Sequence, residues 1–305
     1  MTAAHERPAG MKVVDVRAFV LRTGRPTMAT RVPEHLGHFV RANGIDIHYV
    51  EAGVGDPLIL LDNAMVSTNP IWAPLPVAYA SQVATLANHF RVIAPDTRGS
   101  GRTVHPGGPI PATLLADDVA ALIDALELDR PFVCGFSDGA ETATLVGIRH
   151  PAAVRAIVNL GGYDLFNPDP RAPAIAMTRQ MLGGSPDATS ADPESMANRI
   201  EELRPMFELM RLDHDGAQGV GHWKTVIAWT FDRITRPHGY TFADLAAIAV
   251  PTLIMVGDRD PFCTVEDGTA AYRALPSGEL AVLPGTGHLI TPAAVRATID
   301  FLERC

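Results

Sequence analysis

The feature that most constrains this chain is Val133-Cys134-Gly135-Phe136-Ser137-Asp138-Gly139-Ala140, an apolar run that ends in Gly-x-Ser-x-Gly and continues into small residues. A strand-to-helix turn of this kind is so tight that its flanking residues must be small, and its strain thrusts the serine clear of the sheet. Pro131 to Phe136 reads as a buried strand and Gly139 to Ile148 as a helix. Gly139, Ala140, Ala143 and Gly147 would let that helix lie close on the sheet. The bare pattern is common in loops; the strand before it and the helix after it make it informative.

The rest of the chain must supply a large core and the partners of Ser137. At 305 residues and 47% hydrophobic, it can bury such a core. The net charge of −9 argues against nucleic acid and against an anionic membrane, whose ligands carry basic patches, and favours a small-molecule substrate. Cys134, Cys263 and Cys305 form neither a pairing pattern nor a metal motif, and their odd number suits a reducing compartment. Asp15 and Arg17 interrupt the apolar stretch Val13 to Leu21, and no run reaches the roughly 20 residues of a membrane span, so a cytoplasmic location is expected.

Residues 1–33 carry six Lys or Arg against two Asp or Glu, with three prolines, and read as an extension outside the fold. The alternative is an amphipathic arm at Val13 to Leu21 that supports a homodimer. From His38 the pattern turns to β: His38 to Arg41 and Ile45 to Val50 flank Ala42-Asn43-Gly44, a hairpin signal. Pro57 to Leu61, Arg91 to Pro95, Val154 to Leu160, Pro251 to Gly257 and Glu279 to Leu283 read as further strands. The continuous apolar runs among them suit strands covered on both faces. Helical spacing is expected over Val77 to Phe90, from Leu114 to Leu126, and from Val295 to Leu302 behind Thr291-Pro292. Strands alternating with helices predict an α/β fold: a mostly parallel, doubly wound sheet with an antiparallel N-terminal hairpin. The rhythm breaks between Tyr163 and Ile248, where Met196, Ile200, Leu203, Phe207 and Met210 form a helical stripe after Asp192-Pro193. The domain reading is therefore an extension at 1–33, a core at 34–163 and 249–305, and a helical lid inserted at 164–248.

A serine hydroxyl needs a base to take its proton, and the base needs a partner to fix its tautomer. Ser137, Asp260 and His288 follow successive strand ends in the chain order given by α/β-hydrolases. From about Glu34 to Cys305 the chain resembles that superfamily in its hairpin start, its Asp96-Thr97-Arg98-Gly99-Ser100-Gly101 turn, its elbow, its Val256-Gly257-Asp258-Arg259-Asp260 strand end and its Pro284-Gly285-Thr286-Gly287-His288 loop. The resemblance implies the α/β-hydrolase fold, a Ser137–His288–Asp260 triad and an acyl-enzyme, and it implies no metal or organic cofactor. Asp258 is the rival acid, and it would otherwise brace the loop. Arg98 is read as a brace for its turn, with carboxylate binding as the alternative.

An oxyanion needs two pre-aimed donors, expected from the backbone N–H groups of Asp138 and Ala64. Family members commonly place His-Gly-x where this chain has Asp62-Asn63-Ala64, so Asn63 is expected to take the left-handed backbone that glycine usually supplies. Asp62, if ionised, would oppose an oxyanion; the bland reading is that it bonds neighbouring backbone. Asp62, Asn63, Phe136, Met206, Met210 and Trp223 are the candidate substrate contacts, although for any single residue of the Met and Phe stripe core packing is the favoured reading. The expected activity is hydrolysis of an ester, lactone, thioester or activated C–C bond in a small apolar substrate. The alternatives are a lyase or cyclase on the same fold, which would incorporate no water, and a ligand-binding receptor, which would not turn over.

Overall fold

A computed structural model of the chain describes residues 37–63, 65–69, 78–79, 82–167, 169, 172–194, 204–236 and 238–305. The expected extension at 1–33 and the start of the Met stripe at Met196 to Leu203 lie outside the described residues.

Eight strands form one sheet: β1 (His38–Ala42), β2 (Ile45–Ala52), β3 (Pro57–Leu61), β4 (Arg91–Pro95), β5 (Phe132–Phe136), β6 (Ile157–Leu160), β7 (Thr252–Gly257) and β8 (Gly278–Leu283). Their order is β1-β2-β4-β3-β5-β6-β7-β8. The hairpin forms at Asn43-Gly44 with Ala42 opposite Ile45, and β2 also runs antiparallel to β4. Every later pairing is parallel.

Strand periodicity explains the apolar runs. In β3, Leu58 and Leu60 pack on one face of the sheet with Phe132, Cys134, Val158 and Met255. Ile59 and Leu61 pack on the other face with Val133, Ile157, Ile254 and Val256. Successive side chains point to opposite faces, so a strand covered on both sides must be apolar at every position. The first face is covered by α1 (Val83–Leu86) and α8 (Pro292–Leu302), the second by α2 (Ala112–Ala125) and α3 (Asp138–Arg149).

Of the helix expected over Val77 to Phe90, only Val83–Leu86 is helical among the described residues. The chain then turns, yet Phe90 N still donates to Leu86 O at 3.0 Å, and both side chains stay buried. The turn preserves the spacing of a helix without its length, which is why the periodicity misleads.

Between β6 and β7 the described residues hold a 3₁₀ turn at Asp164–Phe166, α4 (Pro173–Thr178), a π-helical segment at Arg179–Gly183, α5 (Arg204–Gln218), α6 (His222–Thr235) and a 3₁₀ stretch at Phe242–Ala247. Phe207, Met210, Trp223, Ile227 and Phe231 join Val66 and Leu182 in a separate apolar cluster that ties this segment to the loop after β3. Helix α7 (Val265–Ala274) connects β7 to β8. Among the described residues no helix is long and apolar enough to cross a membrane.

The elbow helix sits against the sheet because its contact residues lack side chains. A Cβ on Gly139 would lie 2.3 Å from Leu61 O, and one on Gly135 would lie 2.5 Å from Ala140 Cα. Both clashes are with backbone, which cannot give. A Cβ on Gly147 would meet side-chain atoms alone, the Cδ1 tip of Ile157 at 2.4 Å and Cγ2 of Ile248 at 3.2 Å. Gly135→Ala should therefore cost about 1–3 kcal/mol of stability or more, whereas Gly147→Ala should cost less than about 1 kcal/mol, because helix propensity offsets the contact. Urea unfolding of both variants checks this; equal losses would contradict it.

Candidate active site

Ser137 sits between β5 and α3 at φ 57° and ψ −127°, a strained conformation for a residue with a Cβ. The surroundings hold it there. Its N–H donates to Leu160 O at 2.9 Å, and its carbonyl accepts from Ala140 N at 2.9 Å and Glu141 N at 3.2 Å. Gly162, just past the end of β6, lies so close that a Cβ there would be 2.1 Å from Ser137 O. Asn159 in β6 completes the clamp, donating to Ala140 O and Thr144 Oγ1 and accepting from Gly162 N. Asp138 follows as the first residue of α3, where backbone N–H groups have no intrahelical acceptor and the helix dipole favours negative charge.

His288 follows β8 and Asp260 follows β7, and His288 Nδ1 lies 2.7 Å from Asp260 Oδ2. In the arrangement where the carboxylate accepts from Nδ1–H, Nε2 is the ring nitrogen left with a free lone pair. Asp260 is itself fixed: Oδ1 accepts from Phe262 N at 2.8 Å and Cys263 N at 3.0 Å. The ring of His288 packs between Phe136 and Phe262, each with a centroid distance of 4.8 Å. Asp258, the rival acid, instead accepts from Thr286 N at 3.1 Å and braces the loop that carries His288.

The turn after β3 differs from the expectation. Asn63 does not adopt positive φ. Its side chain makes the turn instead, with Oδ1 accepting from Met65 N at 3.2 Å while its carbonyl accepts from Val66 N at 3.1 Å. An Asn side chain that mimics a backbone carbonyl removes the need for a left-handed residue. Ala64, the expected second oxyanion donor, lies outside the described residues.

Asp62 is partly buried, and both its oxygens accept from Tyr79 N, at 2.8 and 2.9 Å. Burial pushes its pKa up to about 8, with Asp138 and Asp96 adding to the shift. At neutral pH it is mostly a neutral acid, so its expected opposition to an oxyanion falls away. Arg98 forks onto Asp118, with Nε 2.7 Å from Oδ2, and donates to Asn43 O, bracing the hairpin against α2. Asp96 is buried beneath that turn, accepting from Thr68 N, Thr68 Oγ1 and Arg102 N, with His48 Nδ1 at 2.8 Å. Burial alone would raise the Asp96 pKa, but His48 and the backbone donors outweigh it and hold it below the usual value.

Among the other candidate contacts, Phe136 stacks on His288, whereas Met210 and Trp223 are buried in the helical cluster and Met206 packs against its edge. Sequence reasoning missed Gly161-Gly162, Phe262, Cys263 and Arg233. A Gly pair directly after an apolar run was the available signal for the first. Arg233 carried none: its Nη2 forms a short ion pair with Asp138 Oδ2, 95 positions away in the chain.

Asp260, Cys263 and His288 bring three metal-capable donor atoms within 4.8 Å of one another. Each is already engaged, with His288 on Asp260 and Cys263 Sγ donating to Gly161 O at 3.0 Å. Burial raises the Cys263 thiol well above its usual range, so it stays protonated and is a poor ligand.

This sheet order, with a strained serine after β5 and a carboxylate–histidine pair after β7 and β8, defines an α/β-hydrolase fold. A model of the Alpha/beta hydrolase family matches residues 59–300, and the chain belongs to that family. It is 26% identical to 3-oxoadipate enol-lactonase 2 of Acinetobacter baylyi over 252 residues, covering 82% of this chain and 89% of that protein. It is 30% identical to 2-hydroxy-6-oxo-6-(2'-aminophenyl)hexa-2,4-dienoic acid hydrolase of Metapseudomonas resinovorans over 285 residues, covering 88% and 92%. Among solved structures, a meta-cleavage product hydrolase from Pseudomonas fluorescens IP01 superposes with a TM-score of 0.70 at 20% identity, covering 88% of this chain and 98% of that one.

Asp62 generates a pH prediction. Its folded pKa of about 8 stands above the ordinary 3.8, so its unfolded form releases a proton that its folded form keeps. The contribution of Asp62 to stability is then greatest below about pH 4 and declines as pH rises toward 8. Asp62→Asn, which still accepts from Tyr79 N–H, should flatten that decline and raise the melting temperature at pH 8.5 more than at pH 5. Equal shifts at the two pH values would contradict the assignment.

Proposed function

We propose that the protein hydrolyses the acyl bond of a small ester or lactone through Ser137, His288 and Asp260. The observation that carries this reading is the 2.7 Å contact between His288 Nδ1 and Asp260 Oδ2 past the carboxyl ends of the parallel strands, the same end at which the strained Ser137 follows β5. In this reading Ser137 Oγ attacks the carbonyl carbon while His288 Nε2 takes its proton. Asp260 holds the imidazolium, and the Asp138 N–H, with Ala64 as its partner, receives the oxyanion. Collapse expels the alkoxide, which His288 protonates. Water, deprotonated by His288, then attacks the acyl-enzyme and releases the acid and Ser137.

The helical segment at 164–248 serves as the lid, with Phe136 and Met206 the candidate contacts that remain outside its packed core. The relatives named as an enol-lactonase and a dienoic acid hydrolase support water as the second substrate, and they leave C–O and activated C–C bonds as the two chemistries to separate. Turnover of a panel of lactones, esters and vinylogous 1,5-diketones in H₂¹⁸O tests the reading. One ¹⁸O should enter the acid product from a lactone or ester. Product without label would instead indicate a lyase or cyclase, and tight binding without turnover a receptor.

Ser137→Ala should lower kcat/KM by roughly four to six orders of magnitude, and Asp260→Asn by roughly four. Steady-state kinetics on the best panel substrate measures both. A loss below about tenfold for either variant would overturn the assignment.

A further inference from the structure

The turns after β3 and β4 are tied to each other and to helix α5 by buried polar side chains that the proposed chemistry does not use. His214, fully buried on α5, spans both turns. Its Nδ1 accepts from Gly101 N at 3.2 Å, and its Nε2 lies 3.1 Å from Met65 O, 149 positions away in the chain. The neighbouring Asp213, also buried, accepts from Ser67 Oγ at 2.7 Å and from Asn69 Nδ2 at 2.9 Å. Gln218, one turn further along α5, donates to Gly99 O and Gly101 O.

These contacts select one form of the His214 ring. A backbone N–H only donates and a carbonyl only accepts, so both bonds form together in the neutral ring that carries its proton on Nε2. That form offers an acceptor to Gly101 and a donor to Met65.

The bridged turn is the one proposed above to supply the second oxyanion donor, and it abuts the elbow: a Cβ on Gly139 would run into Leu61 O and Asp62 O. Its described residues are held from both sides. Asn63 accepts from Met65 N and Val66 N, His214 holds Met65 O, Asp213 holds Ser67, and Asp96 holds Thr68. Val66 also packs with Phe207, Met210 and Trp223. Apolar packing has no direction, whereas hydrogen bonds orient the peptide groups that make them. An oxyanion donor has to be aimed before the charge develops.

We infer that His214 is a positioning residue for the proposed oxyanion site: from the helical segment between β6 and β7 it holds the Met65 carbonyl and thereby orients the turn after β3, with Asp213 as a second anchor. His214 acts through the backbone of Met65, and its role presupposes the Ser137 chemistry proposed above.

Two variants separate orientation from bulk. In His214→Gln the side-chain amide reaches the place of Nε2 and can donate to Met65 O. In His214→Asn it reaches only the place of Nδ1, which keeps the bond to Gly101 N and loses the bond to Met65 O. On the best panel substrate, His214→Asn should lower kcat roughly ten- to a hundredfold with KM changed less than about threefold, because a displaced donor weakens binding of the transition state alone. His214→Gln should hold kcat within about threefold of the wild type. Circular dichroism melts establish that both are folded. Unchanged kcat in His214→Asn, or equal losses in the two variants, overturns the inference. Should either variant fail to fold, Ser67→Ala, which removes the bond to Asp213 from the same turn, decides. A roughly three- to tenfold fall in its kcat at constant KM supports the role, and unchanged kcat overturns it. Ser137→Ala in the same assay keeps the two claims apart. If it retains its rate, the Ser137 reading fails and the role of His214 falls with it; if it is inactive while His214→Asn keeps full kcat, the role of His214 alone is overturned.

Discussion

The backbone of Ser137 is the constraint on which the rest depends. A residue with a Cβ at φ 57° and ψ −127° is strained, and only surroundings that leave no alternative keep it there. Three elements supply that rigidity. Strand β6 accepts the Ser137 N–H through Leu160, α3 donates two N–H groups to the Ser137 carbonyl, and Gly162 closes in where no side chain would fit. The small residues of the elbow are therefore consequences of the contacts made by the serine and its neighbours, and the parallel sheet is the platform that positions β5 and β6 to make them.

A second theme is how buried carboxyls are accommodated around that elbow. Asp62, partly buried, and Glu141, in the interior, have pKa values of about 8, and Asp164 is raised by burial and by its neighbour Asp267. Keeping such acids protonated avoids placing uncompensated negative charge beside the proposed oxyanion site. Asp138 is handled differently, through its ion pair with Arg233. That pair joins the end of α6 to the first residue after Ser137, so the helical segment is electrostatically pinned to the elbow as well as packed on the loop after β3.

Much of this was legible in the sequence, because it is written in local pattern. Continuous apolar runs marked doubly covered strands, Asn43-Gly44 marked the hairpin, and the chain order of Ser137, Asp260 and His288 marked three residues that follow successive strand ends. The choice of Asp260 over Asp258 rested on resemblance, and the contact with His288 gives it a geometric reason. What stayed hidden depends on contacts between distant residues. Leu86 and Phe90 keep helical spacing across a turn, so periodicity could not reveal where α1 stops. Asn63 shapes its turn with its side chain, and no pattern distinguishes that from a left-handed backbone. Met210 and Trp223 pack among helices whose arrangement no local rule supplies, and Arg233 meets Asp138 only once the helical segment is folded.

The central claim is that this scaffold activates Ser137 by way of a histidine oriented by Asp260. The most direct measurement is intact-protein mass spectrometry after treatment with a fluorophosphonate, with the modified peptide sequenced and the labelling rate compared between the wild-type chain and Asp260→Asn. The account predicts one adduct, located on Ser137, formed rapidly by the wild type and at least about a hundredfold more slowly by the variant. No adduct, an adduct on another residue, or equal rates in the two proteins would contradict it.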